Sequence, residues 1–84
     1  MSSVSYSVYV LKSKKNAKRY IGYTSKPITN RLKEHNEGSN RYTKNNIPYE
    51  LLYFEQNFCK ECATNREKFL KSGQGRKLLD KILD

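Results

Sequence analysis

Residues 7–25, SVYVLKSKKNAKRYIGYTS, contain two apolar segments that are separated by a polar, strongly basic segment. In and just before the first segment, apolar residues occupy every second position: Val4, Tyr6, Val8 and Val10. This period of two predicts a half-buried β-strand over residues 4–11. Residues 19–23 also favour a strand, so the whole stretch predicts a β-hairpin with a loose basic loop.

The middle of the chain predicts one helix and one further strand. Thr24 and Ser25 are helix start signals, and Gly38 is a stop signal, which together indicate a first helix of about three turns. Residues 49–55, YELLYFE, are apolar and aromatic. They predict a third strand, which we expect at the centre of the sheet.

Two more helices are predicted in the last third of the chain. Residues 57–72 have a helical pattern, which Gly73 and Gly75 interrupt. Beyond the glycines, apolar residues recur at helical spacing: Leu78, Leu79, Ile82 and Leu83. They predict a short terminal helix. The pattern as a whole predicts an α+β fold with a small three-stranded sheet.

Length and charge restrict the function. A chain of 84 residues has room for one domain, residues 1–84. Lys and Arg total 17 against 8 Asp and Glu, and the net charge of +9 favours an anionic polymer or surface as partner. No segment approaches the roughly 18 apolar residues of a membrane-spanning helix, and the N-terminus lacks the features of a signal peptide. We therefore expect a cytoplasmic protein that acts away from membranes.

The tyrosines of the hairpin are candidate site residues. Alternation places Tyr9 on the strand face opposite Val8, and it places Tyr20 opposite Ile21. In a simple register, Tyr9 and Tyr20 would be cross-strand neighbours, and Gly22 would leave open space for a ligand or backbone. Taken alone, however, tyrosines in a small β-containing domain are more typical of amphipathic packing than of a site.

The helices add polar residues at helical spacing. Arg31 and His35 are four residues apart and share one face of the first helix. A polar stripe on the second helix contains Glu67 as its only carboxylate, and its members are Lys60, Thr64, Glu67 and Lys71. By themselves, these residues are more typical of a surface than of a site: Glu67 paired with lysines, and His35 as a cation at a helix C-terminus.

The order of these residues resembles the GIY-YIG nuclease superfamily. Ser7-Val8-Tyr9 is followed, eleven residues after Tyr9, by an intact Tyr20-Ile21-Gly22, then by RLKEH on a helix and by a Glu within REKFLKS. The chain is most similar to small single-domain members that are related to the nuclease domain of the excinuclease C subunit of bacterial nucleotide excision repair. The sequence departs from the family pattern in three ways. The first triplet keeps only its tyrosine, Tyr23 stands where many relatives have a lysine, and there is no clear match for the Asn that some relatives have after the Glu.

The resemblance implies a fold and a chemistry. Similar domains have a three-stranded antiparallel sheet flanked by helices, and they cut phosphodiesters with a divalent metal held by one Glu, here Glu67. A single carboxylate suits Mg²⁺ or Mn²⁺, with the other ligands taken from water and substrate phosphate. Arg31 is expected to hold the phosphate through its guanidinium fork.

A tyrosine is expected to orient or deprotonate the attacking water. Tyr9 is the preferred base, with Tyr20 and His35 as its partners. A free phenol has a pKa of about 10, so this role requires nearby cations that favour the phenolate. The assignment predicts that Tyr9→Phe removes cleavage while the fold survives.

The basic loops are expected to contact the phosphates of DNA, which can be branched or single-stranded. The predicted contact residues are Gly22, Lys12, Lys18, Arg41, Lys44 and Lys71, and the hairpin loop adds Lys14, Lys15 and Arg19. Tyr42 is expected to stack on an unpaired base. If the loops bind the backbone, affinity falls with salt, with a slope of roughly −0.9 per duplex phosphate contact on a log-log scale. For any single lysine, a solvated cationic surface is almost equally compatible with the sequence.

Cys59 and Cys62 have the spacing of zinc and redox motifs, and His35 would be a third ligand. A structural zinc site needs four ligands, and the chain has no second pair of cysteines. The helical pattern indicates that the thiols are buried or incidental. Two function classes then stay open: a structure-directed DNA endonuclease in repair, recombination or foreign-DNA removal, and a non-catalytic nucleic-acid-binding module with the same fold.

Overall fold

The computed structural model describes residues 5–38 and 44–83. In this part of the chain the strands are β1 (Tyr6–Ser13), β2 (Arg19–Thr24) and β3 (Tyr49–Phe58), and the helices are α1 (Ile28–Asn36), α2 (Lys60–Lys71) and α3 (Gly73–Leu83). A short 3₁₀ turn, Lys44–Asn46, precedes β3. The strands form an antiparallel sheet with helices on both faces. The predicted α+β fold is thus confirmed.

The strand order in the sheet is β2-β1-β3, so the prediction of a central β3 is wrong. The central strand is β1, which is buried on both faces rather than half-buried. The period of two identified the strand, but residues of the other face, such as Tyr9 and Leu11, are equally apolar. β3 is an edge strand, and its Phe54 side chain is 43% exposed.

Two apolar clusters lie on opposite sides of β1. Helices α2 and α3 pack against one face of the sheet in a cluster formed by Val8, Val10, Ile21, Ala63, Leu70 and Leu79. Helix α1 contributes to the cluster on the other face, formed by Tyr9, Leu11, Ile28 and Tyr49. Tyr9 therefore does point away from Val8, as alternation predicts, but into a second core and not toward solvent.

Helix α1 begins at Ile28, later than the start signals suggest. The Thr24 hydroxyl accepts a hydrogen bond from the Lys26 backbone N–H (3.0 Å) and stabilises the turn before the helix. No side chain caps α1, whose N-cap position is Pro27. At the other end, Gly38 has a φ of +82°, which confirms it as the residue where the chain leaves the helix.

The junction between α2 and α3 lies at Ser72, between two helices that follow one another directly. Gly75 does not interrupt a helix, because it lies inside the first turn of α3. A Cβ atom at Gly75 would be 2.0 Å from the Phe69 carbonyl oxygen. Gly75 is thus the residue that allows α3 to pack closely against the end of α2. No helix in the described ranges is long and apolar enough to span a membrane.

Candidate active site

The side chain of Tyr9 lies at the centre of a hydrogen-bonded cluster. Its hydroxyl oxygen accepts a hydrogen bond from Nε of Arg31 (3.2 Å) and is 3.0 Å from Nε2 of His35. The Tyr20 ring completes the cluster, since its centroid is 5.1 Å from that of His35 and 6.3 Å from that of Tyr9. Residues from β1, β2 and α1 that are distant in sequence therefore meet at one place.

The position of α1 is fixed at its C-terminal end by Asn36. Its side-chain carbonyl accepts a hydrogen bond from the Tyr49 backbone N–H (2.6 Å), and its amide group donates to the Tyr49 carbonyl (3.2 Å). The Tyr49 ring in turn packs against His35, with centroids 6.2 Å apart. These contacts hold the helix face that carries Arg31 and His35 against β1.

Burial decides the protonation states in the cluster. His35 is fully buried, and this burial, together with the nearby Arg31 cation, lowers its pKa from 6.5 to about 4. The imidazole is therefore neutral near pH 7, and the alternative of a charged histidine at a helix end is wrong. The direction of the hydrogen bond between the Tyr9 hydroxyl and Nε2 of His35 follows from the imidazole tautomer: Nε2 accepts the Tyr9 proton when Nδ1 carries the hydrogen.

The expectation that surrounding cations favour a Tyr9 phenolate is also wrong. Burial raises the pKa of Tyr9, and this effect outweighs the opposing effect of Arg31. Electrostatic interactions with Tyr20 and Glu67 raise the pKa of Tyr9 further. Tyr9 is only 1% exposed, whereas Tyr20 is partly exposed.

The strand register explains the glycine of Tyr20-Ile21-Gly22. Gly22 pairs with Tyr9, and Tyr20 pairs with Leu11, so the two tyrosines are diagonal neighbours and not directly opposite. A Cβ atom at Gly22 would be 2.6 Å from the Tyr9 hydroxyl oxygen and 3.2 Å from Cε2 of Tyr20. The space that the sequence left open for a ligand is filled by the Tyr9 phenol.

We predict that Gly22→Ala reduces activity more than it reduces stability. The added methyl group displaces the Tyr9 ring, which two hydrogen bonds hold in place, at a cost of about 1–3 kcal/mol of folding free energy. Cleavage should fall by roughly 100-fold, because small misplacements at a reacting centre have effects of that size. Urea unfolding and a cleavage assay on the same protein would test this. Full activity in Gly22→Ala would show that the glycine does not set the position of Tyr9.

Arg31 has a second partner that the sequence reasoning missed. Nη1 of Arg31 donates to Oε1 of Glu34 (2.9 Å), and Nζ of Lys26 donates to Oε2 of the same carboxylate (2.6 Å). Lys26 and then Arg31 lower the pKa of Glu34. The sequence did contain a signal for this ion pair, since Arg31 and Glu34 are three residues apart within the predicted helix. Glu34 positions the guanidinium while leaving Arg31 25% exposed.

Glu67 lies on α2, on the polar stripe that the sequence predicts. Its side chain is 18% exposed, and Oε2 is 3.8 Å from Nζ of Lys71, so the expected pairing with a lysine is present. The helix is anchored next to Glu67 by Arg66, which donates to both carboxylate oxygens of Glu55 on β3 (2.9 Å each). The sequence did not predict this bidentate pair, because no local pattern links a residue of α2 to a residue of β3.

The available ligands decide which metals the described part of the chain can hold. In residues 5–38 and 44–83, no group of three or more His, Cys, Asp or Glu side chains lies close enough to hold an ion. A zinc site with Cys59, Cys62 and His35 is therefore not formed. Both cysteines are free and exposed rather than buried, and Cys59 caps α2 by accepting from the Cys62 N–H (3.1 Å). A lone carboxylate fits Mg²⁺ or Mn²⁺, which keep most of their waters.

The predicted DNA contacts divide into separate places. Lys18 and Lys71 line a groove of about 660 Å³ beside Tyr20. Lys12, on β1, and Lys44, in the 3₁₀ turn, do not line this groove. Arg41 and Tyr42 lie outside the described residues.

The comparison with known families assigns the chain to a nuclease-type domain. Residues 5–79 match the family model of the GIY-YIG catalytic domain. The chain belongs to the GIY-YIG family, whose nucleases generally depend on a divalent metal. No curated protein gives a significant match.

We predict that stability depends on pH through His35. Its pKa is about 4 in the folded protein against 6.5 for a free side chain, so the unfolded chain binds the proton more readily. Stability is thus fully present above pH 6.5 and falls as pH decreases toward 4, by at most about 1.4 kcal/mol per pH unit. The imidazole is faced by groups from four elements: Tyr9, Tyr20, Arg31, Glu34 and Tyr49.

Urea unfolding between pH 7 and pH 5 would measure this dependence. The window lies above the range in which Glu34 and Glu55 titrate, because their partners lower both pKa values from 4.5. A His35→Gln protein should lose the slope between pH 6.5 and pH 5. The same slope with and without the imidazole would contradict the prediction.

Proposed function

We propose that the protein is a metal-dependent endonuclease that hydrolyses phosphodiester bonds in DNA. The proposal assigns low sequence specificity and a preference for DNA structure, with a role in repair, recombination or removal of foreign DNA. The observation that carries it is the convergence of Tyr9, Arg31 and His35 at hydrogen-bonding distance, beside Tyr20, in a chain of the GIY-YIG family.

In this proposal, Glu67 holds Mg²⁺ or Mn²⁺. A metal held there would supply stabilisation of the negative charge that develops on the leaving oxygen. Glu67 suits this role because its side chain is partly exposed and its lysine partner is loosely placed at 3.8 Å. A cation at Glu67 also suits the surroundings, since a carboxylate among so many lysines otherwise repels the phosphates that they attract.

Arg31 binds the scissile phosphate in this mechanism. A guanidinium has five N–H donors, and the contacts with Tyr9 and Glu34 engage one at Nε and one at Nη1. The other donors serve the phosphate oxygens. Because Tyr9 and Glu34 hold the group from two sides, little side-chain entropy is lost when the phosphate binds.

Tyr20 is the group that we now assign to the attacking water. It is partly exposed and lines the groove, whereas Tyr9 is 1% exposed and has a raised pKa. In this assignment Tyr9 is a positioning residue, which orients Arg31 and hydrogen-bonds to His35. The preference for Tyr9 as the base, based on sequence, becomes the competing hypothesis.

The experiment is a cleavage assay with single-stranded, duplex, flap and junction DNA, with Mg²⁺ or Mn²⁺. We expect cleavage of at least one branched or single-stranded substrate, with little dependence on base sequence. Binding of all four DNAs without cleavage, with either metal, would indicate the alternative, a non-catalytic binding module.

A further inference from the structure

A groove of about 660 Å³ runs beside the candidate active site, between β2 and the two C-terminal helices. One wall is formed by the end of the hairpin loop and the start of β2, with Ala17, Lys18, Arg19, Tyr20 and Ile21. The other wall is formed by α2 and α3, with Lys71, Arg76, Leu79 and Asp80. Arg76, Arg19 and Asp80 have no part in the catalytic cluster, so the groove needs an explanation of its own.

We propose that this groove binds the sugar–phosphate backbone of the DNA strand next to the bond that is cut, with Arg76 as its main phosphate contact. The inference rests on the proposed function, and it names the surface that the substrate strand follows. It also extends the predicted DNA contacts from the loops to α3.

The charge of the groove suits a polyanion. Four cations line it against one carboxylate, Asp80. Arg19 is already paired with Asp80 (2.8 Å), and Lys71 is loosely paired with Glu67 (3.8 Å). None of the ion pairs among the described residues involves Lys18 or Arg76. These two cations stand on opposite walls and are available for phosphate oxygens.

Tyr20 connects the groove to the active site. Tyr20 lines the groove, and its ring packs against His35, with centroids 5.1 Å apart. A strand bound along the groove thus leads to the residue that we assign to the attacking water. The flexible cations of the groove fit a backbone better than they fit the edges of particular bases. Low sequence specificity follows from this arrangement.

Asp80 lowers the affinity of the groove for phosphate groups. The bridge from Arg19 to Asp80 joins β2 to α3, and its carboxylate is 61% exposed. Exposed ion pairs contribute little to stability, so a phosphate can replace Asp80 as the partner of Arg19. Neutralising Asp80 should therefore strengthen DNA binding.

Fluorescence anisotropy with labelled single-stranded and duplex DNA, without metal, tests the proposal. Arg76→Gln is compared with Lys81→Gln, which removes the same charge from an exposed position of α3 outside the groove. We expect Arg76→Gln to weaken binding roughly five- to tenfold and to reduce the duplex salt slope by about 0.9, against less than about twofold for Lys81→Gln. Asp80→Asn should tighten binding.

A second matched pair keeps the test valid if Arg76→Gln lowers stability. Lys18→Gln removes an exposed charge from the groove, and Lys33→Gln removes an exposed charge from α1, outside the groove. Only the first change should weaken binding. Equal losses within both pairs would overturn the proposal, since net charge alone would then explain binding. An acidic peptide that competes as well as DNA of equal charge would overturn it too.

The two proposals fail in different ways. If the parent protein cuts DNA and both members of each pair lose the same binding affinity, the groove proposal is rejected and the proposed nuclease function is retained. If only the groove variants lose binding affinity and the parent protein cuts no DNA, the groove is retained as a DNA-binding surface and the proposed nuclease function is rejected.

Discussion

A Glu67→Ala protein is expected to lose cleavage by at least about 10³-fold, because it lacks the only carboxylate proposed to hold the metal. DNA binding without metal should persist or tighten, since a negative charge near the phosphates has been removed. The change should barely affect folding. Glu67 lies outside both apolar clusters, and alanine is a good helix former.

Glu61→Ala is the matched control for this variant. Glu61 is an exposed carboxylate in the first turn of the same helix, so the change in net charge is identical. We expect Glu61→Ala to cut DNA at nearly the parent rate. Cleavage by a folded, DNA-binding Glu67→Ala protein at the rate of Glu61→Ala would eliminate the mechanism with a single carboxylate.

The second large effect concerns the two tyrosines of the cluster. Tyr20→Phe should reduce cleavage by roughly 10²- to 10⁴-fold, the usual contribution of a group that accepts or orients a proton in the reaction. Tyr9→Phe should cost about tenfold, because Glu34 still holds Arg31 at 2.9 Å when the phenol oxygen is absent. Single-turnover rates at saturating DNA would separate the two.

Tyr23→Phe serves as the control for removal of a hydroxyl from β2. The Tyr23 ring packs against Tyr6 and the first apolar cluster, outside the active-site cluster. Its rate should equal that of the parent. If Tyr9→Phe abolishes cleavage while Tyr20→Phe retains most of it, the base is Tyr9, as the sequence alone suggested, and our assignment of Tyr20 is wrong.

Most of the fold was predictable from local sequence patterns. The wrong predictions have one physical origin, which is that they concern contacts between distant segments. The period of two identified β1, and Gly38 marked the end of α1, because both signals act over a few residues. β3 was wrongly predicted to be the central strand. Whether a strand is central or at an edge depends on which strands pair with it, and a local sequence pattern does not contain that information. Tyr9 and Leu11 form a second apolar face on β1, and that was the available sign of burial on both sides.

The candidate site was predictable as a set of residues but not as a chemical state. Tyr9, Tyr20, Arg31 and His35 were identified from their order in the chain, and they do lie together. The protonation of Tyr9 was predicted in the wrong direction, because the sequence shows nearby lysines and does not show desolvation. Contacts between distant elements, such as Arg66 with Glu55, carry no signal in a single sequence.

The central claim is that this cluster, with a metal at Glu67, cuts phosphodiester bonds. The most direct test is a single-turnover time course with excess protein on flap or junction DNA, run in Mg²⁺, in Mn²⁺ and with the metal chelated, beside a Glu67→Ala protein purified in parallel. We expect cleavage by the parent only when metal is present, and none by the variant. Binding without cleavage in every metal condition, or equal cleavage by both proteins, would contradict it.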